Sequence, residues 1–248
     1  MRRAMNQPAL GKEAIGIDLF AAGVASPKGK PRSLIESVMH RLRCEIVQGV
    51  LSAGSRLLID DLQRRFDVSG GTVREALSLL VSDGLVHAKT QRGFFVAPMS
   101  LQDLEGLTRT RIALECESVR ESVKCGGSEW ESNLVAAYSE LARSDEHVMR
   151  NPDDEFDQWE IANRNFHRSL ISACSSDWTF RFLAVLNIHL ERYRRLTSPH
   201  TLPERNVHAE HELIFQSALA RDAEQCSLLL RQHIESSVSV VRQFALLR

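Results

Sequence analysis

His167, His211 and His233 are the residues whose types and spacing offer this chain the clearest chemistry. Each falls on the apolar stripe of its own helical segment. Trp159, Asn163, Phe166, His167, Leu170 and Cys174 share one stripe; Val207, His211, Ile214 and Ala218 share a second; Cys226, Leu230, His233, Ser237 and Val241 share a third. Apolar recurrence every three or four residues marks the buried face of a helix. Three imidazoles from three helices can converge in one interior, where neutral imidazole is a good ligand for zinc, nickel and related ions. Asn163 stands one turn before His167 and points the same way. The plain alternative is three separate core histidines, each hydrogen-bonded to its surroundings.

A different chemistry is written between residues 54 and 96. A short helix carries Leu62 and Phe66 on one face, with Arg64 and Arg65 beside them. Val68 closes a tight turn, and a second helix follows with Val73, Ala76, Leu77 and Leu80 as its apolar stripe. Thr72, Arg74, Ser78 and Val81 lie off that stripe. Ser69 stands where an N-cap is needed. Gly70 and Gly71 let the backbone come close to a phosphate, and free amides at a helix start are themselves phosphate ligands. Arg74 is the candidate for a guanine contact, because its planar fork matches two acceptors on that base. Leu85–Lys89 and Phe94–Val96 read as strands joined at Thr90–Gly93, with Lys89, Gln91 and Arg92 at a basic tip suited to phosphates or a minor groove. Helix, turn, helix and ribbon in this order make a winged helix-turn-helix. Each piece alone has a bland equivalent, a structural corner or a solvated hairpin.

The run from Arg56 to Val96 resembles the DNA-binding domain of GntR-type bacterial transcription regulators. The likeness rests on Gly54, Leu62, Val68-Ser69, the Val73–Leu77 core, Leu80, Asp83–Val86 and Gly93. The family often has an arginine after the serine of the turn, where this chain has Gly70, so operator preference does not carry over. Residues 101–245 resemble the FCD ligand-binding domain of the FadR branch. Here the likeness rests on Arg111–Glu115, Asn163 with Phe166-His167, Glu210-His211, Ile214, Ala218, Asp222, Cys226 and His233. The resemblance implies a divalent metal held by an aspartate and three histidines, with a small organic acid beside it. His167, His211 and His233 match the histidines, whereas Asn163 occupies the aspartate position. An amide oxygen is a weaker, uncharged ligand, which lowers the affinity expected for zinc or nickel. The same likeness makes Arg111 the clamp for an effector carboxylate, alongside Asn163 and the three histidines; its plain role is an ion pair with Glu115 one turn on. A narrower likeness to regulators of the carbon-starvation-induced type rests on Arg164–Leu170 and Glu191–Leu196, and implies a dicarboxylate effector.

The elements that must position these residues divide the chain into a tail (1–30), a winged helix-turn-helix (31–98) and an all-helical bundle (99–248), a mainly α fold. Leu34, Val38, Leu42 and Ile46 predict a helix over 33–49 behind the helix-turn-helix. Pro98–Ser100 marks the boundary. Beyond it the pattern predicts helices near 101–125, 128–149, 154–174, 178–197, 204–220 and 222–247, an antiparallel bundle. Arg192–Arg195 reads mostly as a solvated basic face, and His208 as exposed or as a support for His211. Residues 1–98 hold 14 Lys and Arg against 9 Asp and Glu, and residues 99–248 hold 17 against 23. A basic front and acidic back suit a nucleic-acid module joined to something else.

Five scattered cysteines without a CxxC pair indicate neither a disulfide framework nor a thiolate metal site, and read as buried small residues. The faint signal-like start is broken by Lys12, Glu13 and Asp18, and no run approaches the roughly 20 apolar residues of a spanning helix. A cytoplasmic location without membrane partner is expected. The function expected is that of a homodimeric regulator, a repressor, on a near-palindromic operator of double-stranded DNA. A small carboxylate effector controls its binding. The rival is a helical metalloenzyme built on the three histidines, against which stand the lack of a general base at a motif-like spacing, of HExxH and of a nucleophile elbow. A ligand-free architectural DNA binder would leave the inward histidines unexplained.

Overall fold

The computed structural model describes residues 33–197 and 205–246; the expected tail and the expected break at 198–203 lie outside them. Helix α1 (Leu34–Val47) begins where Ser33 Oγ accepts the Glu36 amide at 3.1 Å, and it buries Val38, Leu42 and Ile46. Strand β1 (Arg56–Leu57) leads into α2 (Ile59–Phe66), whose Leu62 and Phe66 face the same core. The chain reverses at Asp67, which takes the left-handed conformation at φ 53°. Helix α3 (Gly70–Ser82) inserts Val73, Ala76, Leu77 and Leu80, all fully buried.

Strands β2 (Val86–Lys89) and β3 (Gly93–Val96) pair antiparallel, with Val86 opposite Val96 and Lys89 opposite Gly93. Gly93 is thus a strand residue rather than part of the turn, and Gln91 carries the turn's left-handed bend at φ 59°. β1 adds to the far edge of β3, giving the order β1-β3-β2. This strand was not expected from the sequence, because two residues carry no alternation to read.

The bundle comprises α4 (Leu101–Cys125), α5 (Ser128–Arg150), α6 (Pro152–Leu170), α7 (Asp177–Thr197), α8 (Val207–Leu219) and α9 (Ala223–Leu246). Ser100 caps α4 by accepting the Asp103 amide at 3.1 Å. Pro152 sits in the first turn of α6, where its missing N–H costs nothing. α6 stops at Leu170, four residues before the expected end. Ser169 Oγ donates to the Phe166 carbonyl at 2.7 Å and Ser172 Oγ to the Ser169 carbonyl at 2.9 Å, offering the backbone a local alternative to the helix.

α4 lies along α9, and α5 packs between α6 and α8. Their shared core includes Val119, Leu134, Leu141, Phe166, Ile214 and Leu230. Ile188 of α7 is buried in the other core, among the residues of α1 and α3. Cys116, Cys174 and Cys226 are buried as expected, but Cys125 is exposed at the end of α4. Among the described residues no helix is long and apolar enough to cross a membrane.

Candidate functional site

The exposed face of α3 opens at Ser69, whose Oγ accepts the Thr72 amide at 3.1 Å and lies 3.0 Å from Thr72 Oγ1. The amides of Gly70 and Gly71 stay at the open end of the helix, where no preceding turn can take them. A Cβ added at Gly70 would stand 2.9 Å from Gln63 Oε1 and 3.5 Å from Arg74 Nη1. The missing side chain therefore makes room for Gln63 and for the guanidinium of Arg74 over the helix start. Arg74 is exposed and has no ion pair among the described residues; the same holds for Lys89 and Arg92 at the ribbon tip, beside exposed Gln91. Lys89 lies over the Phe95 ring at 4.6 Å. Arg64 and Arg65 differ: Arg64 pairs with Asp61 and Arg65 with Glu45 of α1 at 2.8 Å.

Within the bundle, α6, α8 and α9 bring His167, His211 and His233 together. One nitrogen from each lies within 4.8 Å of the others, and all three residues are buried. Ring centroids are 5.1 Å apart for His167 and His233 and 4.7 Å for His211 and His233. Asn163 is buried beside them. Its Oδ1, and both ring nitrogens of His167 and His211, have no hydrogen-bond partner among the described residues. An unsatisfied buried polar atom costs about 1–3 kcal/mol. Five on one spot is the pattern of a binding centre, not of separately satisfied core histidines. Imidazole nitrogens with an amide oxygen are a donor set that fits a divalent transition metal.

Each histidine has a carboxylate behind its Nδ1. Glu210 Oε2 is 2.8 Å from His233, Glu115 Oε2 3.6 Å from His167 and Asp145 Oδ2 3.8 Å from His211. For His167 and His211 this arrangement favours the tautomer with Nδ1 protonated and leaves Nε2 as the donor atom, whereas His233 Nδ1 also faces Arg205 Nη2 at 3.2 Å. Glu210 is held by Arg205, whose Nε donates to Oε1 at 2.8 Å and whose Nη2 also reaches the His233 carbonyl at 2.9 Å. Arg205 and Asp145 were not legible as site residues. Their partners are distant in sequence, and Glu210, adjacent to His211 in the chain, serves His233 instead. His208 is exposed and bonds Asp145 at 3.0 Å, so it supports His211 through that carboxylate.

Burial raises the cost of every charge here. It pushes the His167 imidazole down to about 4 and His233 well below its ordinary value. Burial also works against ionised Glu115, yet Arg111 and His167 outweigh it and hold that carboxyl at about 2. Asp145 follows the same logic: contacts with His211, Trp159 and His208 pull it below the usual range despite desolvation. His167 and His233 are thus set to be neutral ligands. Arg111 makes the ion pair with Glu115, Nε to Oε1 at 2.8 Å and Nη2 to Oε2 at 3.2 Å, and does so fully buried rather than on a surface. Arg111 also borders a cavity of about 50 Å³ shared with Arg194, Arg205, Asn163, His167 and His233.

Residues Arg192–Arg195 correct the expectation of a solvated face. Arg194 makes a bidentate pair with Glu160 at 2.6 and 2.9 Å, and Arg195 pairs with Glu191 and Asp157. Arg192 donates to the Ala97 carbonyl at 2.6 Å, and Tyr193 Oη accepts the Ser100 amide at 3.0 Å. The acids that draw these cations inward sit on α6 and on α7 itself.

Residues 34–96 match the family described as bacterial regulatory proteins, gntR family, and residues 106–236 match the FCD domain. The HTH-type transcriptional regulator BphR of Paraburkholderia xenovorans (strain LB400) is 60% identical over 92% of this chain and 94% of its own length. The chain belongs to the gntR family of bacterial regulatory proteins, with an FCD domain behind its DNA-binding head. It is a transcriptional regulator and not an enzyme, so the metalloenzyme alternative falls. The HTH-type transcriptional repressor GlaR of Escherichia coli (strain K12) is 28% identical over 82% of this chain and 93% of its own. In fold, the regulator is similar to E. coli McbR/YncC, with a TM-score of 0.70 at 21% identity over 86% of this chain and 99% of that one.

α7 joins the regulator's two parts. Its Arg194 borders the histidine cavity, while Ile188, His189 and Arg192 face the head. His189 Nε2 meets the carbonyl of Asp83, the C-cap of α3, at 2.8 Å, and Asp83 in turn pairs with Arg43 of α1. One helix therefore touches both the histidine cavity and the base of the helix that carries Arg74.

Proposed function

We propose that this regulator is a repressor of the FadR branch, acting in the cytoplasm as a homodimer on a near-palindromic operator. α3 lies in the major groove with Arg74 against base edges, while Ser69, Gly70, Gly71 and Thr72 meet phosphates at its start. Lys89, Gln91 and Arg92 reach the backbone or minor groove from the ribbon. Arg64 and Arg65 are secondary phosphate contacts, since each already has an acidic partner.

His167, His211 and His233, with Asn163, hold a divalent ion such as zinc or nickel in this reading. When bound, the ion supplies a positive anchor for an anionic effector. The residues around it bind and orient that effector. The cavity of about 50 Å³ beside the histidines has room for a carboxylate group. Arg111, Arg194 and Arg205, which line it, give such a carboxylate its hydrogen-bond donors. Next to it an open groove of about 580 Å³ shares Phe156, Trp159, Arg205 and Val207 and leaves space for the remainder of a small organic acid.

The observation that carries this reading is the placement of α7 between the cavity, through Arg194, and the C-cap of α3, through His189. A carboxylate competing with Glu160 for Arg194 alters the setting of α7, and with it the head. To release DNA it must bind the released state more tightly, because equal affinity for both states shifts nothing. Selection of bound duplexes from a random pool, with and without a panel of organic acids, tests partner, symmetry and switch together. Enrichment of an inverted repeat that one acid abolishes supports the reading. An acid that raises the melting temperature but leaves operator affinity unchanged defeats the switch.

A further inference from the structure

We propose that Asp145, from behind His211, supplies the negative charge that Asn163 does not bring to the metal site. The proposal rests on the metal reading above and deepens it. A neutral amide at position 163 leaves the four candidate ligands without a formal charge, so a divalent ion among them depends on anions one step further out.

Three carboxylates stand there, but two are already neutralised. Glu115 is paired bidentately with Arg111, and Glu210 with Arg205. Asp145 is the one that, among the described residues, has no arginine or lysine against it. Its Oδ1 accepts the Trp159 indole N–H at 2.7 Å, and its Oδ2 faces His208 Nδ1 at 3.0 Å and His211 Nδ1 at 3.8 Å. The uncharged Trp159 indole holds the carboxylate in place without cancelling its charge. Asp145 and Trp159 are both buried, so water and salt screen that charge little.

His211 is the histidine best placed to relay it. The residue is wholly inaccessible, and neither ring nitrogen has a hydrogen-bond partner among the described residues. At 3.8 Å its contact with Asp145 is coulombic rather than a hydrogen bond. A carboxylate behind Nδ1 fixes that nitrogen as the protonated one and makes Nε2 the more basic ligand. Asp145 is accordingly a positioning residue: it acts on the ion through the imidazole and does not ligate it.

Zinc affinity of the full chain, measured by competition with a chromophoric chelator, tests this, with the melting temperature of the metal-free protein recorded for each variant. Asp145→Asn keeps the shape and the Trp159 contact, and is expected to weaken zinc binding about 10- to 100-fold. Asn163→Asp returns a charge directly and is expected to restore most of that loss in the double variant. Should Asp145→Asn prove unstable, Asn163→Asp alone still reports: the proposal expects it to tighten zinc binding. Asp145→Asn with wild-type zinc affinity, or a loss that Asn163→Asp does not recover, overturns the proposal while leaving the metal reading intact. A wild-type chain whose zinc binding is absent or indifferent to His211→Ala removes the metal reading itself, and the proposal with it.

Discussion

His189 Nε2 lies 2.8 Å from the backbone carbonyl of Asp83, so a helix of the bundle holds the C-cap of the helix that presents Arg74. Burial pushes the His189 imidazole below its ordinary value, which keeps it neutral and able to donate through Nε2–H. The neighbouring Gly84 has φ +74°, and a Cβ there would stand 3.3 Å from the same nitrogen. The joint between head and bundle is therefore close-fitting. His189→Ala is expected to lose about 0.5–1.5 kcal/mol of stability for the hydrogen bond. It is also expected to bind operator while responding less to an effector acid. Operator titrations with and without the acid that stabilises wild type check this; an unaltered response would show that the joint does not carry the signal.

Arg74 makes no ion pair among the described residues, whereas Arg64 is tied to Asp61. Arg74→Ala is expected to cost roughly 1–3 kcal/mol of specific binding and to relax discrimination at one base position. Arg64→Ala is expected to weaken all sequences slightly and alike. Binding isotherms on the selected operator and on point-substituted versions separate the two; equal loss on every duplex would demote Arg74 to a phosphate contact.

His211→Ala removes one of three histidines that share a single spot. Metal content of the purified protein, read by elemental analysis, is expected to fall while operator binding without effector persists. Unchanged metal content would remove the site as drawn. Lost DNA binding would give His211 a structural role in the head.

Acid should destabilise the metal-free protein, and the sign follows from the buried groups. His167 titrates at about 4 in the folded chain against 6.5 ordinarily, so the unfolded chain binds more protons between these values. The stability present above pH 6.5 is lost as pH falls toward 4, on the order of 3 kcal/mol for this group. Glu115, held at about 2 against 4.5, adds a loss of the same sign lower down. Urea melts in chelator across that range check this, with His167→Gln expected to flatten the upper part of the fall. An equal fall in both proteins would contradict the assignment.

Local patterns made the head legible. Val73, Ala76, Leu77 and Leu80 announce their own buried face, and Ser69 its cap. The histidines were legible for the same reason, since each shares a stripe with apolar neighbours. What surrounds them was not. Asp145 is 63 residues from His208, Arg194 is 34 from Glu160 and Arg192 is 95 from Ala97, and no periodicity links such pairs. The basic run on α7 therefore read as solvated, although its partners draw it inward. Arg111 and Glu115 could be matched by their one-turn spacing, but not their depth.

The central claim is that α3 reads duplex DNA through Arg74, and competition binding tests it most directly. A selected duplex labelled at one end is titrated with the regulator at moderate salt against unlabelled random duplex. The account predicts a preference of about a thousandfold or more for the selected sequence, most of it lost with Arg74→Ala. No preference for any duplex over random competitor would contradict it.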